Sequence, residues 1–164
     1  MQTIEQEEVI VTEQSAQRKY VAGFVFNKQH DCVVLIKKTH PEWQRGLLNG
    51  VGGKVENNET FVEAMARECT EECGLVVPEE DWNPVCDLLG CDYRVRFFAT
   101  ATTDILSAHT VTDESVLIVS ADCYDDFPCV QNLAWLIPMT IRALEGRWEF
   151  YTIQEIDRLH LALD

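Results

Sequence analysis

Long apolar runs are missing from this 164-residue chain, and none approaches the roughly 18 residues that cross a bilayer. Its start, Met-Gln-Thr-Ile-Glu-Gln-Glu-Glu, has neither the basic n-region nor the apolar h-region of a secretion leader. A membrane partner is not expected, and the cytoplasm is the expected location. Basic residues are scarce too: 13 Lys and Arg face 28 Asp and Glu, a net charge of −15. Proteins that grip DNA or RNA do so by neutralising backbone phosphates with Lys and Arg, so a nucleic acid polymer is excluded as the expected partner. A mononucleotide is a different case, because a divalent ion and a few local cations can offset its phosphates. Seven cysteines, an odd number without a leader, argue against a disulfide framework and for reduced thiols. Cys69 and Cys73 sit four apart without nearby His partners, which is not zinc-site spacing, and no Cys–His nucleophile pair stands out. Internal repeats and low-complexity linkers are absent.

What is present fits a single domain, since 164 residues with 46% apolar composition suffice for a sizeable core. Residues 1–18 are rich in Glu and Gln and read as a tail or an added edge strand; residues 19–164 form the expected domain. Apolar and aromatic residues at 20–27 and 32–37 predict two strands joined by the turn Lys28-Gln29-His30-Asp31. A loop over 39–48 follows, flanked by Lys38 and containing Arg45, both within plausible reach of a phosphate. Asn49-Gly50-Val51-Gly52-Gly53 then allows a close backbone approach, and a carbonyl there can join a hard-cation shell. Further strands are expected at 85–89, 93–102, 114–120 and 147–153. Residues 131–144 predict a helix that Pro138 kinks or delays, and 154–164 a short amphipathic helix.

The centre of the chain is the stretch 52–75. Thr60 and Glu63 form a capping box, and Gly74 supplies a left-handed stop, so a helix is expected from just after Thr60 to about Cys73. Phe61, Ala64, Met65 and Cys69 recur at helical steps and mark its buried stripe. Glu68 and Glu72 stand four apart beside Glu71, a spacing at which like charges destabilise a helix. A hard divalent cation such as Mg²⁺, which takes carboxylate oxygens and bridges them to phosphates, would compensate. A solvated acidic face is the plain alternative.

From Gly53 the residues run Gly, five spacers, Glu59, seven spacers, Arg67-Glu68, Cys69, a spacer, Glu71-Glu72, a spacer, Gly74 and Leu75. This pattern resembles the signature box of the Nudix hydrolases, with Cys69 where the family usually has Ile, Leu or Val. Cysteine behaves as a small buried hydrophobe, so the exchange leaves the site intact. The resemblance implies an α/β fold, an α/β/α sandwich around a mixed sheet with the box as loop–helix–loop. It implies Mg²⁺ or Mn²⁺ as cofactor, and water attack on a diphosphate linked to a nucleoside or similar group. Glu68, Glu71, Glu72 and the Gly52 carbonyl would hold metal, with Glu59 and Arg67 as a supporting pair.

For the proton acceptor, family members often add an acid from a later loop. Thr112-Asp113-Glu114 resembles the Ser-Asp-Glu of oxidised-purine triphosphatases in this family, which nominates Glu114, with Asp113 in reserve and Glu68 or Glu72 as alternatives within the box. Leu48-Asn49-Gly50-Val51-Gly52-Gly53-Lys54 is similar to their Trp-Asn-Gly-Phe-Gly-Gly-Lys, so Asn49 is expected to read a base, and Lys54 and Lys38 to meet substrate. Aligned through Trp135, Gln131 and Asn132 replace two aspartates of those enzymes and Cys129 a stacking Trp; these two polar residues are also expected at the substrate. The leading reading is a pyrophosphohydrolase of (deoxy)nucleoside triphosphates giving monophosphate and diphosphate. Hydrolysis of nucleoside-diphosphate conjugates (a sugar, ADP-ribose or a dinucleoside polyphosphate) is the second, a non-catalytic nucleotide sensor the third. A homodimer is left open.

Overall fold

The computed structural model describes residues 17–155. Eight strands form one mixed sheet: β1 (Arg18–Asn27), β2 (Cys32–Lys37), β3 (Leu48–Asn49), β4 (Val51–Lys54), β5 (Asn83–Leu89), β6 (Tyr93–Thr102), β7 (Ser115–Ser120) and β8 (Tyr151–Gln154). Two helices cover it, α1 (Phe61–Cys73) and α2 (Leu133–Leu144). The sheet order is β3-β2-β1-β6-β5-β8, with β4 also on β1 and β7 also on β2. β1 is the organising strand: it pairs antiparallel with β2 and β4 and, over its whole length, parallel with β6.

Side chains on β1 alternate between two cores, as a strand buried on both faces requires. Ala22, Phe24 and Phe26 meet Leu133, Leu136 and Ile137 of α2 on one face. Val21 and Val25 meet Ala64, Met65, Cys69 and Cys73 of α1 on the other. The result is the α/β/α sandwich that the sequence led us to expect. Gly23 permits the close approach on the α1 side, because a Cβ there would stand 2.5 Å from the Met65 sulfur.

Several boundaries depart from expectation for identifiable reasons. The glycine-rich run is not a free loop: Val51–Lys54 is a strand, laid against β1 with Gly52 opposite Ala22. A Cβ on Gly52 would lie 2.1 Å from the Val21 carbonyl oxygen, so glycine here serves a backbone contact. Phe61 is only half-buried, and Cys73 takes the further place in the α1 stripe. α2 begins at Leu133 rather than Gln131, with the exposed Pro138 inside it. The last strand starts at Tyr151 rather than Arg147. Gly146 turns the chain at φ 68°, and the Trp148 indole donates to the Val85 carbonyl, so the intervening residues wrap the sheet edge before pairing with β5. The expected tail over 1–18 and helix over 154–164 lie almost wholly outside the described residues. Among those described, no helix is long and apolar enough to cross a membrane.

One buried charge on the α1 face has no part in the box. Asp87 of β5 is 2% exposed and accepts hydrogen bonds from Arg94 and Arg96 on the neighbouring β6. Burial pushes its carboxyl up, but the two guanidinium groups outweigh burial and hold it below the usual carboxylate range. A depressed folded-state value means that this contribution to stability is complete above the ordinary Asp value of about 4 and is lost as pH falls through the folded value. Asp87→Asn is therefore expected to cost about 1–3 kcal/mol at pH 7. In urea titrations its stability should also fall less steeply than that of the parent chain below about pH 4; parallel acid profiles would show that Asp87 contributes nothing to the transition.

Candidate active site

α1 carries the acids, and its ends set their phase. The Thr60 hydroxyl accepts from the Glu63 N–H at 3.2 Å, and the Thr60 N–H donates to the Glu63 carboxylate at 2.6 Å. Gly74, at φ 72°, closes the helix with its N–H on the Thr70 carbonyl. Between these stops, Arg67, Glu68, Glu71 and Glu72 rise from adjoining turns, with Glu68 and Glu72 towards the β4 backbone.

The Arg67 guanidinium gathers the cluster. It forks onto Glu59 at 2.8 and 3.1 Å, and its Nη1 reaches both Glu68 and Glu71 at 2.9 Å. Nη2 also donates to the Lys54 carbonyl at 3.0 Å, which ties the cluster to the end of β4. The Glu59 bond, with Glu68 and Glu71 behind it, raises the Arg67 pKa further, while the same bond lowers that of Glu59. Burial raises Glu68 against the pull of Arg67. The Glu68 carboxylate lies so close to Gly53 that a Cβ there would stand 2.3 Å from Oε1.

A second cation holds the other side. Lys38 is 8% exposed, and its ammonium lies 3.2 Å from Glu72 and 2.5 Å from Glu114. Burial pulls its pKa down, but the two carboxylates outweigh burial and the net shift is upward. The remaining Glu72 oxygen accepts from the Gly52 N–H at 2.9 Å; burial nonetheless raises its carboxyl. Glu114 is saturated: besides Lys38 it accepts from the Thr39 N–H at 2.7 Å and the His40 N–H at 3.3 Å. Against burial, these donors hold its pKa below the usual range.

Glu59, Arg67, Glu68, Glu71, Glu72, Gly52, Lys38 and Glu114 thus form two adjoining clusters, one on Arg67 and one on Lys38, carried side by side by α1 and β4. Lys38 lies inside the second, buried between acids, whereas Arg45 stays outside both, paired with Glu42 on the surface. The Lys54 side chain and Gln131 are exposed. The Asn49 amide is engaged, donating to Gln44 at 3.0 Å and accepting from the Gly50 N–H at 2.8 Å. Asn132 occupies the position before α2 without capping it by its side chain. The segment ahead of α2 runs beside β3, since the Val130 N–H donates to the Leu48 carbonyl. Gln44, Thr39 and His40 escaped the sequence reading: two act through backbone N–H groups, which no residue type announces.

Five carboxylates against two cations leave the two clusters together anionic, and all their donors are hard oxygens, the chemistry that Mg²⁺ or Mn²⁺ prefers. Among the described residues no three His, Cys, Asp or Glu side chains stand close enough to hold an ion as they are placed, and the acids of α1 are paired with Arg67 and Lys38. The donor set fits a divalent ion in kind, with Glu68, Glu71, Glu72 and the Gly52 carbonyl as the groups that would hold it.

The architecture is a mixed sheet between two helices, with a glutamate helix laid along glycine-rich β4. The NUDIX domain family matches residues 16–152, and the chain belongs to that family: it is a hydrolase acting on pyrophosphate bonds, of nucleoside-diphosphate-linked substrates. Nudix hydrolases generally use divalent metals such as Mg²⁺. No curated protein relative is matched by sequence. Solved structures share the fold. One comes from a study of MutT from Aliivibrio salmonicida and Vibrio cholerae, with 22% identity, a TM-score of 0.65 and coverage of 76% of this chain and 97% of that one. The NUDIX domain of Shewanella oneidensis NrtR complexed with ADP ribose has 18% identity and a TM-score of 0.62, over 79% and 89%. The E. coli dihydroneopterin triphosphate pyrophosphohydrolase has 16% identity and a TM-score of 0.58, over 76% and 96%.

The two adjacent glycines should respond differently to a methyl group. In Gly53→Ala the colliding atoms are the free end of Glu68, so the fold should survive while turnover drops on the order of 10²-fold, as small displacements of reacting groups do. In Gly52→Ala the collision is with backbone, and stability should fall by about 1–3 kcal/mol or more. Thermal melts paired with turnover assays check both; equal stability losses would contradict the assignment.

Proposed function

We propose that the chain is a Mg²⁺- or Mn²⁺-dependent pyrophosphohydrolase of (deoxy)nucleoside triphosphates, releasing monophosphate and diphosphate. The observation that carries this reading is the convergence of Glu59, Glu68 and Glu71 on Arg67, with Glu72 held next to them by Lys38 and the Gly52 N–H. Glu68, Glu71, Glu72 and the Gly52 carbonyl hold the divalent ion, which when bound offsets phosphate charge and makes water more acidic. Arg67 and Glu59 fix the orientation of the acids, as groups behind metal ligands commonly do. Glu114, with its oxygens filled by Lys38, Thr39 and His40, is a weak proton acceptor; its part is to hold Lys38 and the 39–40 backbone in place. Proton acceptance falls to Glu68, whose second oxygen meets no donor among the described residues. Lys54, which is exposed, faces the substrate phosphates. Lys38, expected there from the sequence, is instead paired with Glu72 and Glu114 and acts by positioning them. Asn49, with Gln131 and Asn132, selects the base through amide groups that both donate and accept.

Diphosphate release from a panel of ordinary and oxidised nucleoside triphosphates, beside ADP-ribose and diadenosine polyphosphates, tests the reading with Mg²⁺ and with EDTA. Metal-dependent cleavage of a triphosphate is expected; cleavage confined to the conjugates would move the substrate to that class. Glu72→Gln should keep the fold and lower kcat on the order of 10³-fold or more, the scale of losing a charge-stabilising group at a reacting centre. Near-parental turnover would remove Glu72 from the site. Asn49→Ala should raise KM for the preferred base on the order of tenfold while cleavage persists. An unchanged base preference would count against Asn49 as the reader.

A further inference from the structure

Away from these two clusters, three cations converge on one aromatic ring. Phe61, the first residue of α1, has the Arg96 guanidinium 4.6 Å from its ring centroid, Arg94 at 5.1 Å and the Lys19 ammonium at 6.0 Å. The sheet explains the gathering. Lys19 of β1 lies opposite Arg94 of β6, and Arg96 is the next β6 residue on the same face, beside Asp87 of β5. Asp87 is the one acid that pairs with these cations among the described residues. It takes Nε and Nη2 of each arginine and leaves both Nη1 groups without an acid, while Lys19 is exposed and meets none. In a chain of net charge −15 this corner sets three cations against one paired acid among the described residues, a local surplus of two positive charges there.

The surplus borders a groove of about 530 Å³ between the start of α1 and strands β5 and β6. Lys19 and Arg96 form its charged side. Phe61, Val62 and Pro84 form the apolar side, over a floor of Trp82 and Phe98. Its acid, Glu59, is already taken by Arg67. Trp82 is 5% exposed, and its indole N–H is the only buried side-chain nitrogen or oxygen among the described residues without a hydrogen-bond partner. Its volume falls within the range of small-molecule sites, and its lining combines an apolar wall with two cations.

We infer that this groove binds a small flat organic phosphate of mononucleotide size. The phosphate lies against Lys19 and the Arg96 guanidinium, whose Nη1 meets no acid among the described residues, with Arg94 adding its charge from outside the groove, and the flat part lies along Phe61, Val62 and Pro84. A phosphate monoester carries about −1.5 to −2 charges at neutral pH, which matches the surplus of two; a carboxylate would leave one cation unanswered. Guanidinium groups suit phosphate oxygens, and both arginine planes and aromatic rings accept a stacked base. The site is separate from the acids of α1 and independent of how they act, so binding here would give the hydrolase a second place to sense a nucleotide.

The test is a titration of the full ¹⁵N-labelled chain with GMP in EDTA, followed by amide and indole NMR, with guanosine and inorganic phosphate as separate arms. GMP is expected to shift Lys19, Phe61, Val62 and the Trp82 indole N–H, and to bind at least tenfold more tightly than either fragment. Lys19→Glu should weaken this binding at least tenfold and leave metal-dependent turnover unchanged. Shifts confined to Asn49, Gly52, Glu68 and Glu72 would assign the nucleotide to the box and overturn the inference, as would the absence of shifts at millimolar GMP. Inorganic phosphate binding as tightly as GMP would reduce the groove to a simple anion patch. Equal GMP affinity in a folded Lys19→Glu chain would remove the cations from recognition.

Discussion

Like-charge repulsion along one face of α1 is the constraint that the rest of the molecule answers. Glu68, Glu71 and Glu72 are crowded onto little more than one turn, where carboxylates at these spacings push each other apart. Arg67 restrains two of them through a guanidinium that also clasps Glu59, and Lys38 restrains the third. Each restraint is itself anchored: Arg67 on the Lys54 carbonyl at the end of β4, Lys38 on Glu114 at the start of β7. The acids stay close because two cations from different parts of the chain hold them, and those cations are where they are because of the sheet.

The sheet in turn depends on β1. Its pairing with β4 brings the Gly52 N–H to Glu72, and its Gly23 lets Met65, and with it the whole of α1, settle against the strand. Side-chain bulk is removed where backbone or carboxylate must come close, at Gly23, Gly52 and Gly53. Small residues thus place the helix relative to the sheet, while the charged residues decide what the helix face can do once placed.

Local signals were legible in the residue order. The capping box and the αL glycine of α1 are short-range devices, and the helix begins and ends where they require. Short apolar and aromatic runs marked β2 and β6 to the residue. The spacing of Glu59, Arg67, Glu68, Glu71 and Glu72 singled out a group in which one guanidinium joins the first three acids and Lys38 holds the fourth. What stayed hidden depends on distant parts of the chain. Nothing near Lys38 announces a partner 76 positions away, and a lysine after a strand reads as a surface charge until β2 and β7 are paired. The strand character of Val51–Lys54 was masked by its glycines, which oppose strand propensity but are required by the contact with β1. The late start of β8 follows from the Trp148 contact with Val85, which is likewise long-range.

The register of β2 against β7 acts as an alignment gauge for the Lys38 cluster. Lys37 sits opposite Ser115, so Lys38 and Glu114, one step past that pair, fall side by side. Strand geometry reverses every side chain with a shift of one residue. A one-residue slip would bring Asp113 or Ser115 to Lys38 and turn the lysine out of the acidic cluster, even with every residue of α1 unchanged. Length changes therefore have very different meanings on the two sides of Glu114: an extra residue in the loop before it can be absorbed as slack, whereas one inside β7 would misalign the machine.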